Sequence, residues 1–294
     1  MQVGILGPLE VIADGQPVEV GGARLRALLT RLALDAGRPV GTETLADALW
    51  GDAQPADLPN ALQSLVSRLR RTVPGIPVLL GPGGYRLDLP GDAVDAERFT
   101  TLARDGRDAL RGGDPDKAVR LLRDGLALWR GPALADVADA AFAMAPVARL
   151  DELRLAAIED RIDAELRLAG PAHLVAELDE LAAAHPLRER VWALRLRALA
   201  AAGRPAEALA AYADFRQRLA DELGADPSPE LREAHLAVLR GADEPPAARA
   251  LNSRGNLRAA LTSFVGRGAE LERVDRLLGD GRLVTLVGPG GAGK

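Results

Sequence analysis

The sequence predicts an α+β domain over residues 1–91, followed by an all-α domain over residues 92–241. Two observations carry this prediction. Short apolar runs bounded by glycine and proline lie on both sides of three helical segments before residue 91, as in a small mixed domain. After residue 92 these strand signals end, and Ala/Leu-rich helical periodicity continues to residue 241. A chain of 294 residues is long enough to bury two cores.

The first predicted element is a small antiparallel sheet within residues 2–20. Its apolar runs are interrupted at Asp14-Gly15, a dipeptide that favours hairpin turns. A helix follows, and Gly37 is its stop signal. Its core-facing positions recur at steps of three and four and are Leu25, Leu28, Leu29, Leu32, Ala33 and Ala36. A second, shorter helix is predicted to begin with Thr42 as its N-cap.

A third helix, over residues 57–73, carries a polar face. Asp57 can cap its N-terminus, and Pro59 lies in the first turn, where its missing N–H does no harm. The apolar positions are Leu58, Leu62, Leu65, Leu69 and Val73. The opposite and flanking positions are Asn60, Gln63, Ser64, Ser67, Arg68, Arg70 and Arg71. Such side chains hydrogen-bond base edges and phosphates, although a solvated amphipathic helix has the same pattern.

A hairpin with a glycine-rich turn at residues 81–84 follows the third helix. Sheet, three helices and hairpin in this order predict a winged helix-turn-helix. In that fold the third helix enters the major groove of DNA, and the hairpin, called the wing, reaches the backbone or minor groove. From Leu58 to Leu87 the sequence has no acidic residue, which suits a surface that binds DNA.

The candidate DNA contacts fall into three groups. The candidate base contacts are Asn60, Gln63, Ser64 and Ser67, and the candidate phosphate or guanine contacts are Arg68, Arg70 and Arg71. The candidate wing contacts are Gly84, Tyr85 and Arg86. Tyr85 has an equally good alternative as a buried packing residue at the base of the hairpin.

Residues 92–241 predict seven helices separated by glycine and proline breakers. The stretch from Trp192 to Tyr212, with Gly203 and Pro205 between them, is close to a tetratricopeptide (TPR) unit. Stacked helix pairs of this kind build an all-α TPR-like domain that contacts proteins or forms dimers. A helical bundle without a partner is the alternative.

The last fifty or so residues change character again. Residues 242–262 are rich in proline, alanine and arginine without sustained periodicity, which predicts a linker. Residues 263–294 predict the start of a phosphate-loop NTPase domain. A strand at 282–287 leads into G-x-x-x-x-G-K, in which Gly288, Gly293 and Lys294 are the candidate nucleotide-binding residues. Because the Mg²⁺-ligating Ser/Thr and the Walker B aspartate are absent, we expect no measurable ATP binding or hydrolysis by this chain. ATP and Mg²⁺ would be cofactors of a longer parent protein only.

Composition excludes several other classes. The chain has no cysteine, which rules out disulfides and thiolate metal ligands. Its three histidines lack partners at metal-ligand spacing, and no nucleophile motif occurs, so we expect no metal site, no catalytic residues and no enzyme. With no leader and no apolar run of about eighteen residues, a cytoplasmic protein without membrane contact is expected. The net charge of −5 argues against a broadly basic coat but allows a local basic surface.

Five motifs before residue 91 resemble the Streptomyces antibiotic regulatory protein (SARP) family, namely LGPLEV, RALLTRLAL, LADALWG, NALQSLVSRLRR and GGYRL. Three later stretches, DAERF, ALWRGPALAD and DELGADPSPELREAH, resemble the bacterial transcriptional activator domain of this family. The resemblance implies an OmpR-like winged helix of the response-regulator type followed by that all-α domain. It also implies a large family member, truncated at the start of its NTPase domain of the NB-ARC or STAND type.

Similarity to the family implies an activator of antibiotic biosynthesis genes. Such proteins bind direct repeats in double-stranded promoter DNA near the −35 region and recruit RNA polymerase holoenzyme through sigma factor and the alpha subunit. The resemblance makes the loop at residues 51–56 a candidate polymerase contact, and a homodimer or tandem binding on DNA is expected. Two alternatives stay open: a truncated STAND-type signalling NTPase, and a helical scaffold whose winged helix contacts protein.

Overall fold

The computed structural model describes residues 1–168 and 172–242. Its first strands form an antiparallel sheet in chain order, β1 (Gln2–Gly4), β2 (Glu10–Ala13) and β3 (Gln16–Pro17). Val3 lies opposite Val11 at the centre of the first pair. Asp14 and Gly15 join β2 to β3 with positive φ angles of 50° and 78°. A tight hairpin turn of this kind requires positive φ at both of its central residues. The predicted sheet and turn are therefore confirmed.

Three helices follow the sheet: α1 (Ala23–Leu34), α2 (Thr42–Trp50) and α3 (Leu58–Thr72). The prediction that Thr42 is an N-cap is wrong by one residue. Gly41 takes the cap position with an extended backbone, and Thr42 is the first helical residue. The chain leaves a strand pairing at Val40 and turns directly into the helix, which moves the cap back to the glycine. Along α3, Val66 is buried while Leu65 is half-buried, so the core face is rotated from the predicted one.

A two-stranded hairpin of β4 (Val78–Gly81) and β5 (Gly84–Leu87) forms the wing. Val40, between α1 and α2, pairs with Tyr85 of β5 through hydrogen bonds in both directions, Val40 N to Tyr85 O at 2.8 Å and Tyr85 N to Val40 O at 3.0 Å. The wing is therefore anchored along one edge to the helical core, while β4 is the outer strand. Sheet, three helices and wing confirm the predicted winged helix-turn-helix.

The N-terminal sheet also joins the helices that follow the wing. Val3 of β1 pairs in parallel with Val94. The Asp95 carboxylate accepts hydrogen bonds from the backbone N–H groups of Ile5 and Leu6 at 2.7 and 3.0 Å. One hydrophobic core extends through this junction and includes residues from Val3 to Ala164. The winged helix and the first helices after it consequently share one core.

The described part of the helical region confirms the predicted helices, with shifts at their ends: α4 (Asp95–Arg111), α5 (Pro115–Leu126), α6 (Met144–Leu168), α7 (Ala172–Ala184), α8 (Glu189–Ala201), α9 (Pro205–Leu223) and α10 (Pro229–Ala242). A second hydrophobic core lies among α7 to α10 and the C-terminal part of α6. Trp192 of α8 packs on Phe215 of α9 with ring centroids 5.0 Å apart. This pairing agrees with the predicted TPR-like helix pair.

Two sequence predictions lie outside the described residues. These are the linker beyond residue 242 and the start of an NTPase domain at residues 263–294, with Gly288, Gly293 and Lys294.

Candidate nucleic-acid interface

The polar face of α3 lies on the surface of the molecule. All seven predicted contact residues on this helix are exposed: Asn60, Gln63, Ser64, Ser67, Arg68, Arg70 and Arg71. Leu62, Val66 and Leu69 bury the opposite face. The Asp57 carboxylate accepts a hydrogen bond from the N–H of Asn60 at 3.1 Å, so the first turn is capped as predicted. The cap holds the helix in register at the end where the candidate base contacts begin.

The arginines of α3 differ in what they already bind. Arg70 donates from Nη2 to the carbonyl oxygen of Val78 at 2.5 Å and ties the helix to β4. The Nη2 atom of Arg68 reaches the N-terminus of α1, 3.9 Å from where a Cβ on Gly22 would lie. Among the residues that the structure describes, neither Arg68 nor Arg71 has a carboxylate partner. Both guanidinium groups are available for charge-assisted hydrogen bonds to phosphate.

The predicted wing contacts are less accessible than the helix residues. Tyr85 is 6% exposed and packs in the core, which is the second of its two predicted alternatives. Gly84 has a φ of +110°, and a Cβ at this position would overlap the carbonyl oxygen of Val40. The close pairing of β5 with Val40 therefore accounts for the glycine. Of the three residues, Arg86 presents its charge to solvent, and it forms an ion pair with Asp88 at 3.3 Å.

The structure adds three residues to this surface that sequence reasoning missed. Arg24 is exposed in the first turn of α1, two residues after Gly22, which lies near the Arg68 guanidinium. Thr42 and Leu80 line a groove between α3 and the wing. In the sequence, the Gly21-Gly22 pair before α1 gives only a weak indication that Arg24 belongs to this surface. Leu80 has no signal, since an apolar residue in a strand predicts burial.

Charge is distributed unevenly around α3. No lysine or arginine occurs from Pro39 to Ser67, and Glu43, Asp47 and Asp52 are exposed on α2 and the loop after it. From Arg68 to Leu87 the reverse holds, with arginines and no acids. The basic side chains near the polar face of α3 therefore lie in the C-terminal half of this helix and in the wing, although the net charge of the chain is negative.

A second group of ionisable side chains lies along α6. Four acids on this helix are almost completely buried: Glu159, Asp160, Asp163 and Glu165. Asp160 bridges two neighbouring helices, since its Oδ2 lies 2.7 Å from Nε of Arg107 on α4 and its Oδ1 lies 2.5 Å from Nη2 of Arg190 on α8. Glu159 lies 2.8 Å from Nε of Arg188. These pairs connect the helices on both sides of α6, and we call the four acids with their arginines the α6 ionic seam.

Arginines hold two of the seam carboxylates, Asp163 and Glu165, in the charged form. Burial opposes ionisation of Asp163, but Arg197 and Arg167 outweigh it, so the pKa of Asp163 is lower than its ordinary value. The pKa of Glu165 is lowered in the same way, with burial opposed by Arg161, a hydrogen bond to His173 and Arg123. Groups this tightly paired stabilise a fold and are poorly suited to proton transfer at neutral pH.

Two kinds of feature are absent from residues 1–168 and 172–242. No group of three or more acids and histidines in these ranges is arranged to hold a metal ion. No helix described there is long and apolar enough to cross a membrane.

The arrangement of α1 to α3, the wing and the uncovered polar face of α3 defines a winged-helix transcriptional regulator. Comparisons with known proteins agree. Residues 15–79 match the family "Transcriptional regulatory protein, C terminal", and residues 94–239 match the "Bacterial transcriptional activator domain". The chain belongs to the Streptomyces antibiotic regulatory protein family of transcriptional regulators.

Three relatives illustrate the match. The "Regulatory protein DnrI" of Streptomyces peucetius is 38% identical over 254 residues, covering 82% of this chain and 92% of that protein. The "Regulatory protein AfsR" of Streptomyces coelicolor is 38% identical over 314 residues and matches 100% of this chain, which spans 31% of the length of AfsR. The solved structure "Mycobacterium tuberculosis EmbR in complex with low affinity phosphopeptide" has a TM-score of 0.77 at 34% identity, covering 85% of this chain and 67% of that one.

Proposed function

We propose that this protein is a sequence-specific DNA-binding transcription activator in which α3 enters the major groove. The single observation that carries the proposal is the exposed face of α3. It combines hydrogen-bonding side chains with two arginines that have no carboxylate partner among the described residues. Base edges are distinguished by such amide and hydroxyl groups, whereas arginines hold the phosphates on either side.

The family supports a more specific role. We infer that the protein binds direct repeats near the −35 region of promoters, as a tandem pair or a homodimer. It regulates secondary-metabolite genes and acts in the cytoplasm. Recruitment of RNA polymerase through sigma factor and the alpha subunit belongs to the same proposal. The exposed acids of α2 and the 51–56 loop support it, because carboxylates on the surface suit a basic protein partner.

DNA binding by α3 and the wing requires no nucleotide. This chain spans 31% of the length of AfsR. We expect ATP to leave the affinity of this chain for DNA unchanged. Calorimetric titration of the 294-residue chain with ATP should show no binding of the nucleotide.

Selection of bound DNA from a random pool, followed by footprinting, tests the proposed function. We expect one enriched motif, repeated at a fixed spacing of about one helical turn or a multiple of it. Affinity for the motif should decrease steeply with salt while preference over random DNA persists. If no motif is enriched and binding is insensitive to salt, the helical-scaffold alternative is favoured instead.

A further inference from the structure

The groove between α3 and the wing contains a leucine that packing does not explain. Leu80 on β4 is 65% exposed. It lies opposite Tyr85 in the hairpin, so both side chains are on the face directed towards α3. Leu79 is on the other face with Arg86. The groove beside Leu80 has a volume of about 290 Å³, and its other walls include Thr42, Pro59, Gln63 and Arg70.

The position of the groove indicates what occupies it. The proposed function, on which this inference rests, places α3 in the major groove and the wing at the neighbouring backbone or minor groove. The two grooves of a duplex are separated by one sugar-phosphate strand. That strand therefore has to pass between α3 and the wing, where Leu80 lies.

The chemistry of the walls suits such a strand. A DNA strand alternates charged phosphates with deoxyribose rings, which present C–H groups. The groove offers the same alternation, with the Arg70 guanidinium and the Thr42 hydroxyl beside the apolar surfaces of Leu80 and Pro59. The segment from residue 58 to residue 87 that forms most of the walls contains no acid to repel phosphate. Apolar area removed from water at Leu80 adds affinity without adding a phosphate contact.

We propose that Leu80 packs against a deoxyribose of the strand that passes between α3 and the wing. It is a positioning contact, which sets the depth of α3 in the major groove and carries no base preference of its own. In this arrangement the wing contributes to DNA binding mainly through an apolar side chain, since Arg86 is its one basic residue and already pairs with Asp88.

The test compares Leu80→Ala with Leu79→Ala on the selected site and on random DNA at several salt concentrations. We expect Leu80→Ala to weaken binding to both DNAs by about five- to tenfold with an unchanged salt slope. Leu79→Ala, the matched control from the opposite face of the same strand, should bind like the wild type. Thermal unfolding of both variants checks that the wing stays folded.

Two results would overturn the proposal. One is an equal effect of the two leucine variants on a folded protein. The other is a loss confined to the selected site that disappears when one thymine is replaced by uracil, because Leu80 would then contact a thymine methyl group and read a base. Failure of the wild-type chain to bind any DNA would instead refute the proposed function, which separates the two conclusions.

Discussion

Gln63 and Arg71 share the exposed face of α3 but have different capacities for recognition. A glutamine amide can donate to and accept from one base edge, whereas an exposed guanidinium pairs with any phosphate. We expect Gln63→Ala to relax preference at one base pair by about 1–3 kcal/mol while random DNA is bound as before. Arg71→Ala should weaken binding to all sequences and reduce the salt slope by about one. Titrations of both variants against the selected site and its single-base variants measure these effects.

The conservative variant Arg71→Lys is the control for the second substitution. A lysine keeps the positive charge that pairs with the phosphate, so the salt slope of Arg71→Lys should match that of the wild type. If Gln63→Ala and Arg71→Ala both bind the selected site with wild-type affinity, α3 is not the recognition helix.

The backbone conformation of Gly84 leads to a prediction about stability that does not involve DNA. Alanine at this position would have to adopt a φ of +110° and would overlap the Val40 carbonyl oxygen, which is part of the backbone and has little room to move. We expect Gly84→Ala to lower the free energy of unfolding by at least about 1–3 kcal/mol and to detach β5 from Val40. Gly81→Ala is the matched control, since Gly81 pairs with Gly84 in the hairpin and a Cβ there has no neighbour within 4 Å. Urea unfolding of the two variants should separate them clearly.

At the scale of the element, the cap of α3 links stability to recognition. Removal of the Asp57 carboxylate leaves the N–H of Asn60 without its partner, so Asp57→Ala should cost about 0.5–2 kcal/mol of stability. Fraying of the first turn would also disorder the candidate base contacts, and binding to the selected site should weaken more than binding to random DNA. Asp57→Asn keeps a cap while removing the charge, and we expect it to retain wild-type stability and specificity. Equal specificity in Asp57→Ala would show that the first turn does not need its cap.

The α6 ionic seam makes the helical region sensitive to acid. Carboxylates whose pKa is lower in the folded than in the unfolded state contribute stability at pH values above the unfolded pKa, and this stability is lost as pH falls through the folded pKa. Because the ordinary values of Asp163 and Glu165 are 3.8 and 4.5, the loss should begin near pH 4.5 and continue below it. We expect Asp163→Asn to be less stable than the wild type at pH 7, with a difference that shrinks as pH falls below 4.

Urea unfolding at a series of pH values measures this effect. Asp214→Asn, which removes an exposed carboxylate on α9, controls for the change in net charge and should follow the wild-type curve. A constant difference between Asp163→Asn and the wild type from pH 7 to pH 3 would contradict the ionic explanation.

At the scale of the whole molecule, the N-terminal sheet connects the three helices of the winged helix to the helical region. Leu9 N donates to Asp136 at 2.5 Å, and the Arg130 guanidinium lies 3.0 Å from Asp95. Arg26 on α1 pairs with Asp136 at 3.1 Å. These contacts, together with the shared core, set the orientation of α1 to α3 relative to α4 and α5. The two parts are therefore joined at residue 91 by packed groups, and a change in the helical region can reach α3 through them.

Local signals were sufficient for the order of the helices and strands and for the exposed residues of α3, although they misplaced the cap of α2 and missed Val66 in the core face of α3. Periodicity of leucine and alanine, the Asp57 cap and the Asp14-Gly15 turn act over a few residues, so their interpretation needs no knowledge of the fold. The same signals could not decide between the two alternatives for Tyr85, because burial of that ring depends on the pairing of β5 with Val40. They also gave no reason to single out Leu80, which differs from a core leucine only in what lies beside it.

The sequence by itself determined the class of fold, the order of its elements and the family, because local patterns and motifs indicate all three. Tertiary structure decided how these elements share cores and charges. It placed residues 1–91 and the first helices of the following region around one core, buried four acids of α6 among arginines from four helices, and opened a groove between α3 and the wing. The physical reason is that burial, ion pairing and accessibility depend on residues that are far apart along the chain. Their spacing in the sequence does not show which of them come into contact in the fold.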